Sequence, residues 1–385
     1  MNSNNTKKLL LGNEALAQGA IDAGISGVYA YPGTPSTEIS EYIQRSKIAK
    51  ELKIHSNWSV NEKTAMEAAL GMSYAGKRAL TVMKHVGLNV AADVFMNMSV
   101  SGINGGLVVV VADDPSMHSS QNEQDSRYYG KFAMIPILEP SNQQECYEIT
   151  KYAFDLSEKL SLPVLIRMVT RLSHSRAGIL TSERVEQNQI HLPKNKHQFQ
   201  LIPIHARGRY KHLVDIQSDI LEISENSYFN EFKEGSNTSI GIIASGIAYN
   251  YLMENFDGDK CPYPILKISQ YPIPKKPVKK LLETCKKVLV LEDGYPFIEE
   301  AISDFLNENK NVIGRLSGDI PRVGELNPDN IANALGFDIV INENIPKVVS
   351  GRPPELCVGC GHRDLFDAIN YLGKEMGSQQ VFGDI

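Results

Sequence analysis

The fold is decided by the stretch Tyr31-Pro32-Gly33-Thr34-Pro35-Ser36-Thr37-Glu38 and by the segment Trp58-Ser59-Val60-Asn61-Glu62-Lys63, which follows one helix later. The first segment follows an apolar strand over 27–30 and places two prolines around a glycine, so the strand cannot continue. The hydroxyl side chains of Thr34, Ser36 and Thr37 then indicate the start of a helix. The pattern predicts strand, loop, helix, strand, loop, helix, with Glu62 where the second loop enters an Ala-rich helix over 64–75. Since α/β sheets bind ligands at the carboxyl ends of strands, Glu62 is a candidate site residue, although a first-turn glutamate also simply favours the helix dipole.

The alternation of strands and helices continues over most of the chain. Continuous apolar runs at 79–83, 107–112 and 163–168 are separated by helical segments, which indicates a parallel sheet covered on both faces. After a polar region, a second unit repeats the pattern with strands at 239–244 and 287–291. The sequence therefore predicts an α/β protein with doubly wound parallel sheets.

Composition excludes several classes of function. The chain has 385 residues and a net charge of −6 without a long basic run, so nucleic acid is not an expected partner. No apolar run reaches the roughly 18 residues of a membrane span, and the start of the chain lacks the apolar core of a signal peptide. Five cysteines, only two of them close together, do not make a disulfide framework. We therefore expect a cytoplasmic protein with no membrane segment.

Polar loops predicted after the strands supply further candidate residues. His85 and Asn89 lie in the predicted loop after strand 79–83, although a lone histidine in a loop is more often merely solvated. Arg127, Arg167 and Arg171 could each bind a substrate carboxylate in bidentate fashion, or could be paired within the protein. The residue pattern does not choose among the three arginines.

Cys357 and Cys360 are the only closely spaced cysteines. A zinc site needs two further ligands at suitable spacing, and only His362 is adjacent. An iron–sulfur cluster needs more cysteines, and the other three have no such spacing. Reduced, unligated thiols are therefore favoured.

Several segments taken together resemble one known family: residues 10–35, 61–63, 83–89, 118–127, 357–363 and 383–385. They are similar, in the same order along the chain, to the large subunit of indolepyruvate ferredoxin oxidoreductase, in the thiamine diphosphate-dependent 2-oxoacid oxidoreductase superfamily. The resemblance implies four regions: an aminopyrimidine-binding domain, a connector, a transketolase C-terminal-like domain and the start of a diphosphate-binding domain, over residues 1–180, 181–235, 236–345 and 346–385. Because the last domain would be cut short, the chain is expected to be an amino-terminal portion of such a subunit.

The resemblance also implies roles for residues in the first region. Glu62 would hydrogen-bond the aminopyrimidine ring of thiamine diphosphate and favour the imino tautomer, which can take the thiazolium proton. Thr34 would hydrogen-bond the 2-oxoacid, although its hydroxyl could equally cap a helix. The remaining implied cofactor-pocket residues are Gly33, His85 and Asn89.

The carboxyl-terminal region is implied to complete the site. Cys357, Cys360 and His362 would form part of the cofactor or coenzyme A pocket. Asp384 would hold Mg²⁺, a cation that takes oxygen ligands, in a site that is incomplete within these 385 residues.

The activity implied by the resemblance is coenzyme A-dependent oxidative decarboxylation of an aryl 2-oxoacid such as indolepyruvate, with ferredoxin as the electron acceptor. A smaller β subunit is the implied partner, in a heterotetramer built on a homodimer. Iron–sulfur clusters are expected only beyond residue 385, and this chain alone is expected to be inactive. Two alternatives stay open: a pyruvate or other 2-oxoacid ferredoxin oxidoreductase subunit, and a non-catalytic binding or scaffold subunit.

Overall fold

The computed structural model describes residues 7–193, 195, 197–257, 260–303, 311–339 and 358–376. They belong to two compact units, one up to Asp338 and one from Ile339 onward. The strands of the first unit are β1 (Lys7–Leu11), β2 (Gly27–Ala30), β3 (His55–Trp58), β4 (Ala79–Lys84), β5 (Leu107–Asp113), β6 (Ile137–Leu138), β7 (Val164–Val169), β8 (Arg176–Leu180), β9 (Glu231–Lys233), β10 (Gly241–Ser245), β11 (Ile265–Ile268), β12 (Gln270–Tyr271), β13 (Val288–Leu291) and β14 (Val312–Ile313). Its helices are α1 (Gly12–Asp22), α2 (Thr37–Arg45), α3 (Lys47–Glu51), α4 (Glu62–Tyr74), α5 (His85–Ser101), α6 (Arg127–Ala133), α7 (Gln143–Leu160), α8 (Thr170–His174), α9 (Pro203–Asp215), α10 (Gln217–Glu225), α11 (Ile247–Met253), α12 (Lys275–Thr284), α13 (Phe297–Ile302) and α14 (Pro328–Leu335).

The first sheet has seven strands in the order β12-β6-β7-β5-β4-β2-β3. Strands β2 to β7 run parallel, whereas β12 is antiparallel to its neighbour β6. The central strand β5 is buried along its whole length, and its side chains alternate between the two faces of the sheet. Val108 and Val110 pack with α1 and α7 on one face, whereas Val109 and Val111 pack with α5 on the other. The prediction of a parallel sheet covered on both faces is therefore confirmed.

The second sheet has five strands in the order β14-β13-β10-β11-β9, and they are parallel except that β9 is antiparallel to β11. Strand β12 follows β11 of the second sheet directly in the sequence, yet it pairs at the edge of the first sheet. Tyr271 lies opposite Ile137, and Gln270 lies opposite Leu138. The two sheets thus share one compact unit, and the domain boundaries at residues 180, 235 and 345 stay predictions.

Two predictions about where helices begin are wrong, and both concern the site. There is no loop after β4, because the strand continues to Lys84 and helix α5 begins at His85. Helix α2 begins at Thr37 directly after Ser36, so the alternative role of Thr34 as a helix cap is also wrong. In the polar region between the two predicted units, helices α9 and α10 meet at Ile216.

In the second unit, the structure describes helix α15 (Gly361–Met376). No helix within the described ranges combines the length and the apolar composition needed to cross a membrane.

Candidate functional site

The candidate site lies at the edge where the parallel strands of the first sheet end. Because β2, β3, β4, β5 and β7 all point the same way, the segments that follow them meet at this edge. These segments are the turn 31–36 after β2, the residues 59–61 after β3, the start of α5 after β4 and the loop 114–126 after β5.

Glu62 is the first residue of α4, and its position is fixed from two sides. The side chain of Asn61 caps the helix by accepting the Thr64 backbone N–H at 2.9 Å. The Glu62 side chain then reaches across to Gly87 in the first turn of α5. A Cβ atom at Gly87 would lie 2.5 Å from Glu62 Oε1 and 2.5 Å from its Cγ. Glu62 is half-buried, and no group in the described part of the chain donates a hydrogen bond to its carboxylate.

Alanine at position 87 is expected to displace the Glu62 carboxylate, because its methyl group would occupy the same space. We expect kcat for the reaction proposed below to fall by roughly 100-fold, the order of loss that a 1 Å misplacement can cause. The measurement is kcat with the wild-type complex as reference.

Gly71 supplies the matched control for that substitution. It lies on the neighbouring helix α4, and a Cβ atom there would meet nothing within 4 Å. Gly71→Ala should leave kcat unchanged and raise the free energy of unfolding slightly, since alanine favours a helix. Equal kcat values for Gly87→Ala and the wild type would show that Gly87 does not position Glu62.

The turn 31–36 brings Gly33 and Thr34 to the same edge. The Gly33 N–H donates to Thr37 Oγ1 at 2.9 Å, and Ser36 Oγ donates to the Gly33 carbonyl at 2.7 Å. Asn13 Nδ2 holds the Pro35 carbonyl at 2.7 Å. Thr34 is exposed, and its side chain takes part in none of these bonds.

His85 and Asn89 lie in the first two turns of α5 and not in a loop. His85 is buried, and its Nε2 lies 3.2 Å from the Asn122 carbonyl, which can only accept a hydrogen bond. Its Nδ1 is buried without a partner among the described residues. Asn89 is exposed, and its Oδ1 accepts a hydrogen bond from Tyr129 at 2.6 Å. The expectation that His85 is a solvated loop histidine is therefore wrong.

Lys84 is a site residue that the sequence reasoning missed. It ends β4, and its ammonium donates to the Ser119 carbonyl at 2.6 Å. Burial lowers the pKa of Lys84, and the nearby Asp114 carboxylate opposes that shift. The signal in the sequence was a charged residue at the end of the otherwise apolar run 79–83.

Two of the three candidate arginines are fully buried and already bound. Arg127 pairs with Asp125 and Glu292, and Arg167 pairs with Asp113 and Glu139. Neither guanidinium is open to a substrate. Arg171 is half-exposed, and its Nε donates to Glu325 at 2.8 Å, so it too has a protein partner.

The buried groups form one charge cluster, which consists of three arginines and five carboxylates: Arg127, Arg167, Arg315, Asp113, Asp125, Glu139, Glu292 and Asp293. The cluster joins the loop 114–126 to the end of β13 in the second sheet. Arg127 Nη1 lies 2.9 Å from Glu292, and Arg167 Nη2 donates to the Asp293 carbonyl at 2.8 Å. Burial raises the pKa of Glu292 to about 7 and that of Asp293 to about 6.

The raised pKa of Glu292 gives a prediction for stability against pH. The unfolded side chain ionises near pH 4.5, so between pH 4.5 and 7 the folded state binds more protons than the unfolded state. The free energy of unfolding should fall as pH rises through this window, by about 3 kcal/mol from this group. Urea denaturation at pH 5 and pH 8 measures the fall, and Glu292→Gln should remove it. Parallel pH profiles for the two proteins would contradict the assignment.

The carboxyl-terminal candidates are only partly covered. Cys357 and Asp384 lie outside the described residues. Within the second unit, Cys360 Sγ lies 3.5 Å from His362 Nδ1. Among the described residues, no group of three or more His, Cys, Asp and Glu side chains could hold a metal ion.

Comparison with known proteins gives one family and several relatives. Residues 18–227 match the family described as pyruvate flavodoxin/ferredoxin oxidoreductase, thiamine diphosphate-binding. The chain is 39% identical to the indolepyruvate oxidoreductase subunit IorA of Methanothermobacter thermautotrophicus, over 98% of this chain and 63% of that protein. The Archaeoglobus fulgidus subunit IorA gives the same three values. The chain thus spans about 63% of the length of these relatives.

A more distant relative and a solved structure are also similar to this chain. The 2-oxoglutarate synthase subunit KorA of Methanocaldococcus jannaschii is 29% identical over 46% of this chain and 50% of that protein. A solved 2-oxoglutarate:ferredoxin oxidoreductase from Magnetococcus marinus superposes with a TM-score of 0.65 at 18% identity, covering 86% of this chain and 65% of that chain. At that identity the superposition bears on the fold alone, and it supports the α/β architecture.

Proposed function

Because the chain belongs to the thiamine diphosphate-binding family of pyruvate flavodoxin/ferredoxin oxidoreductases, we propose that it works in the oxidative decarboxylation of an aryl 2-oxoacid. The proposed substrate is indolepyruvate, coenzyme A accepts the acyl group and ferredoxin accepts the electrons. Indolepyruvate is preferred to 2-oxoglutarate because the IorA relatives match nearly the whole chain at 39% identity, whereas KorA matches 46% of it at 29%.

The observation that carries the proposal is the Glu62 carboxylate. It is fixed between the cap of α4 and Gly87, and its oxygens have no hydrogen-bond donor among the described residues. Such a carboxyl group can share a proton with a ring nitrogen placed beside it. His85 is two residues before Gly87 in the sequence. Its buried Nδ1 has no hydrogen-bond partner among the described residues, so it is a second polar atom at this edge without a protein partner. Both features fit a bound heteroaromatic cofactor.

Each residue of the site then has a specific task. Thiamine diphosphate, when bound, supplies the carbon centre at which a 2-oxoacid loses carbon dioxide. Glu62 holds a proton between its carboxyl oxygen and the pyrimidine ring nitrogen, and Gly87 keeps that oxygen in place. The hydrogen-bonded turn around Gly33 presents the Thr34 hydroxyl, which donates to the 2-oxoacid. His85 supports the loop 114–126 through the Asn122 carbonyl.

Further parts of the proposal concern the assembly. The four regions 1–180, 181–235, 236–345 and 346–385 are proposed as the domains named above. Asn89, Cys357, Cys360 and His362 are proposed to complete the cofactor and coenzyme A pocket, with Asp384 as a Mg²⁺ ligand. Both IorA relatives are subunits, which supports a smaller partner subunit, and we propose a cytoplasmic heterotetramer built on a homodimer. Iron–sulfur clusters are assigned to other parts of that assembly.

The test compares substrates in the complex that contains this chain together with its partner subunit. Ferredoxin reduction is measured with coenzyme A and with indolepyruvate, pyruvate or 2-oxoglutarate. Calorimetry measures the binding of thiamine diphosphate to the same complex. We expect cofactor binding and the highest kcat/KM for indolepyruvate.

The other outcomes decide between the alternatives. A higher kcat/KM for pyruvate or 2-oxoglutarate would assign the chain to a different 2-oxoacid oxidoreductase. A complex that neither binds thiamine diphosphate nor reduces ferredoxin would favour a scaffold subunit.

A further inference from the structure

Lys84 carries a charge in a place where charge is costly. It is the last residue of β4, a strand that is buried along its whole length, and only 9% of Lys84 is exposed. An ammonium group loses hydration when it is buried, so a buried lysine normally has an anionic partner or several hydrogen bonds. The partners of Lys84 therefore show whether its charge is satisfied within the protein.

The hydrogen-bond partner of Lys84 is a neutral carbonyl. Its Nζ donates to Ser119 O at 2.6 Å, whereas an ammonium has three donors. In the described part of the chain, no carboxylate lies within 4.0 Å of this ammonium. Asp114 is close enough to favour the charged lysine, but its carboxylate is held by other groups: it accepts from Ser120 Oγ and from Thr170 Oγ1, both at 2.6 Å.

The Lys84 side chain also runs along the turn that carries Thr34. A Cβ atom at Gly33 would lie 3.2 Å from Lys84 Cβ and 3.9 Å from its Cδ. Ser119, whose carbonyl receives the ammonium, donates its hydroxyl to the Thr34 carbonyl at 3.4 Å. Three residues further along the chain, Gly87 contacts Glu62. Lys84 thus lies beside the turn that carries Thr34 and one helical turn before the glycine that contacts Glu62.

The three arginines do not fill the need for a cation at this edge. Arg127 and Arg167 are fully buried in the charge cluster, and Arg171 is paired with Glu325. A 2-oxoacid carries a carboxylate next to its reacting carbonyl, and a site that binds it gains from a nearby positive charge.

We propose that Lys84 binds the carboxylate of the 2-oxoacid substrate, with its ammonium beside the Thr34 turn. This inference rests on the proposed function and extends it, because it assigns the group that distinguishes a 2-oxoacid from an uncharged carbonyl compound. Ser119 then acts as the positioning residue for the ammonium.

Three variants of the complete complex test the assignment. Lys84→Met removes the charge and the donors, whereas Lys84→Gln removes the charge and keeps an amide donor for Ser119. Lys77→Met is the matched control, because Lys77 also donates to a backbone carbonyl, that of Asn188, away from this edge. The ligands are indolepyruvate and its methyl ester, which lacks the carboxylate charge. The measurements are KM for the acid, the inhibition constant of the ester, and the calorimetric Kd of thiamine diphosphate.

We expect both Lys84 variants to raise KM for indolepyruvate by 20-fold or more. The inhibition constant of the methyl ester and the Kd of thiamine diphosphate should each change less than twofold. Lys77→Met should change none of the three. Equal weakening of acid and ester, or an unchanged KM, would overturn the assignment and leave Lys84 as a structural tie to the loop 114–126. If Lys84→Met fails to fold, Lys84→Gln decides the question alone. A wild-type complex without cofactor binding and ferredoxin reduction would instead overturn the proposed function, and the assignment of Lys84 with it.

Discussion

Glutamine at position 62 is expected to lower kcat for ferredoxin reduction by at least 100-fold while thiamine diphosphate still binds. The amide keeps the size of the side chain and its contact with Gly87, but it cannot share a proton with a ring nitrogen in the way a carboxyl group does. Loss of a positioned acid or base typically costs about 10²- to 10⁴-fold. Steady-state kinetics and calorimetry on the same preparation measure the two quantities.

Glu67 provides the control for this substitution. It lies on the same helix α4 as Glu62 and is exposed. Glu67→Gln should therefore leave both kcat and the cofactor Kd unchanged. Normal turnover of Glu62→Gln would favour the scaffold alternative, since a scaffold has no use for a proton at this position.

The largest expected effect on stability belongs to Arg167. Arg167→Met removes the cation that pairs with Asp113 and Glu139 and leaves those carboxylates buried without it. Breaking a buried ion pair on one side typically costs about 3–5 kcal/mol. We expect a loss of that size in the free energy of unfolding, measured by urea denaturation at pH 7.

Arg45 is the matched arginine for this experiment. It pairs with Glu41 on the exposed face of α2, one helical turn away. Exposed pairs contribute little, so Arg45→Met should change the free energy of unfolding by less than about 1 kcal/mol. A similarly small loss for Arg167→Met would show that water or a neighbouring charge compensates for the missing guanidinium.

The sequence was sufficient for the α/β class and for the position of Glu62. Apolar runs such as 107–112 leave few alternatives to a buried parallel strand, and Asn61 followed by Glu62 is a strong helix start. Both signals are local, and each is contained within a few residues of the chain. The structure confirms the buried strand β5 and the start of helix α4.

The parts that could not be predicted depend on contacts between distant segments. Nothing near Gly87 in the sequence indicates that the Glu62 carboxylate fills the space beside its Cα. Arg127 and Arg167 look like free arginines until the fold brings Glu292 and Asp113 against them. The polar residues Lys84 and Asn89 around His85 suggested a loop, whereas helix α5 begins at His85.

The pairing of β12 with β6 has a consequence for synthesis of the protein. Ile137 and Leu138 form an edge whose partner, residues 270–271, follows more than 130 positions later. While the ribosome is still making the segment between them, this edge of the nascent sheet has open backbone N–H and C=O groups and can pair with another chain. A recombinant protein ended at residue 235 would keep that edge exposed permanently, so we expect it to aggregate, whereas one extended beyond residue 271 can close its own sheet.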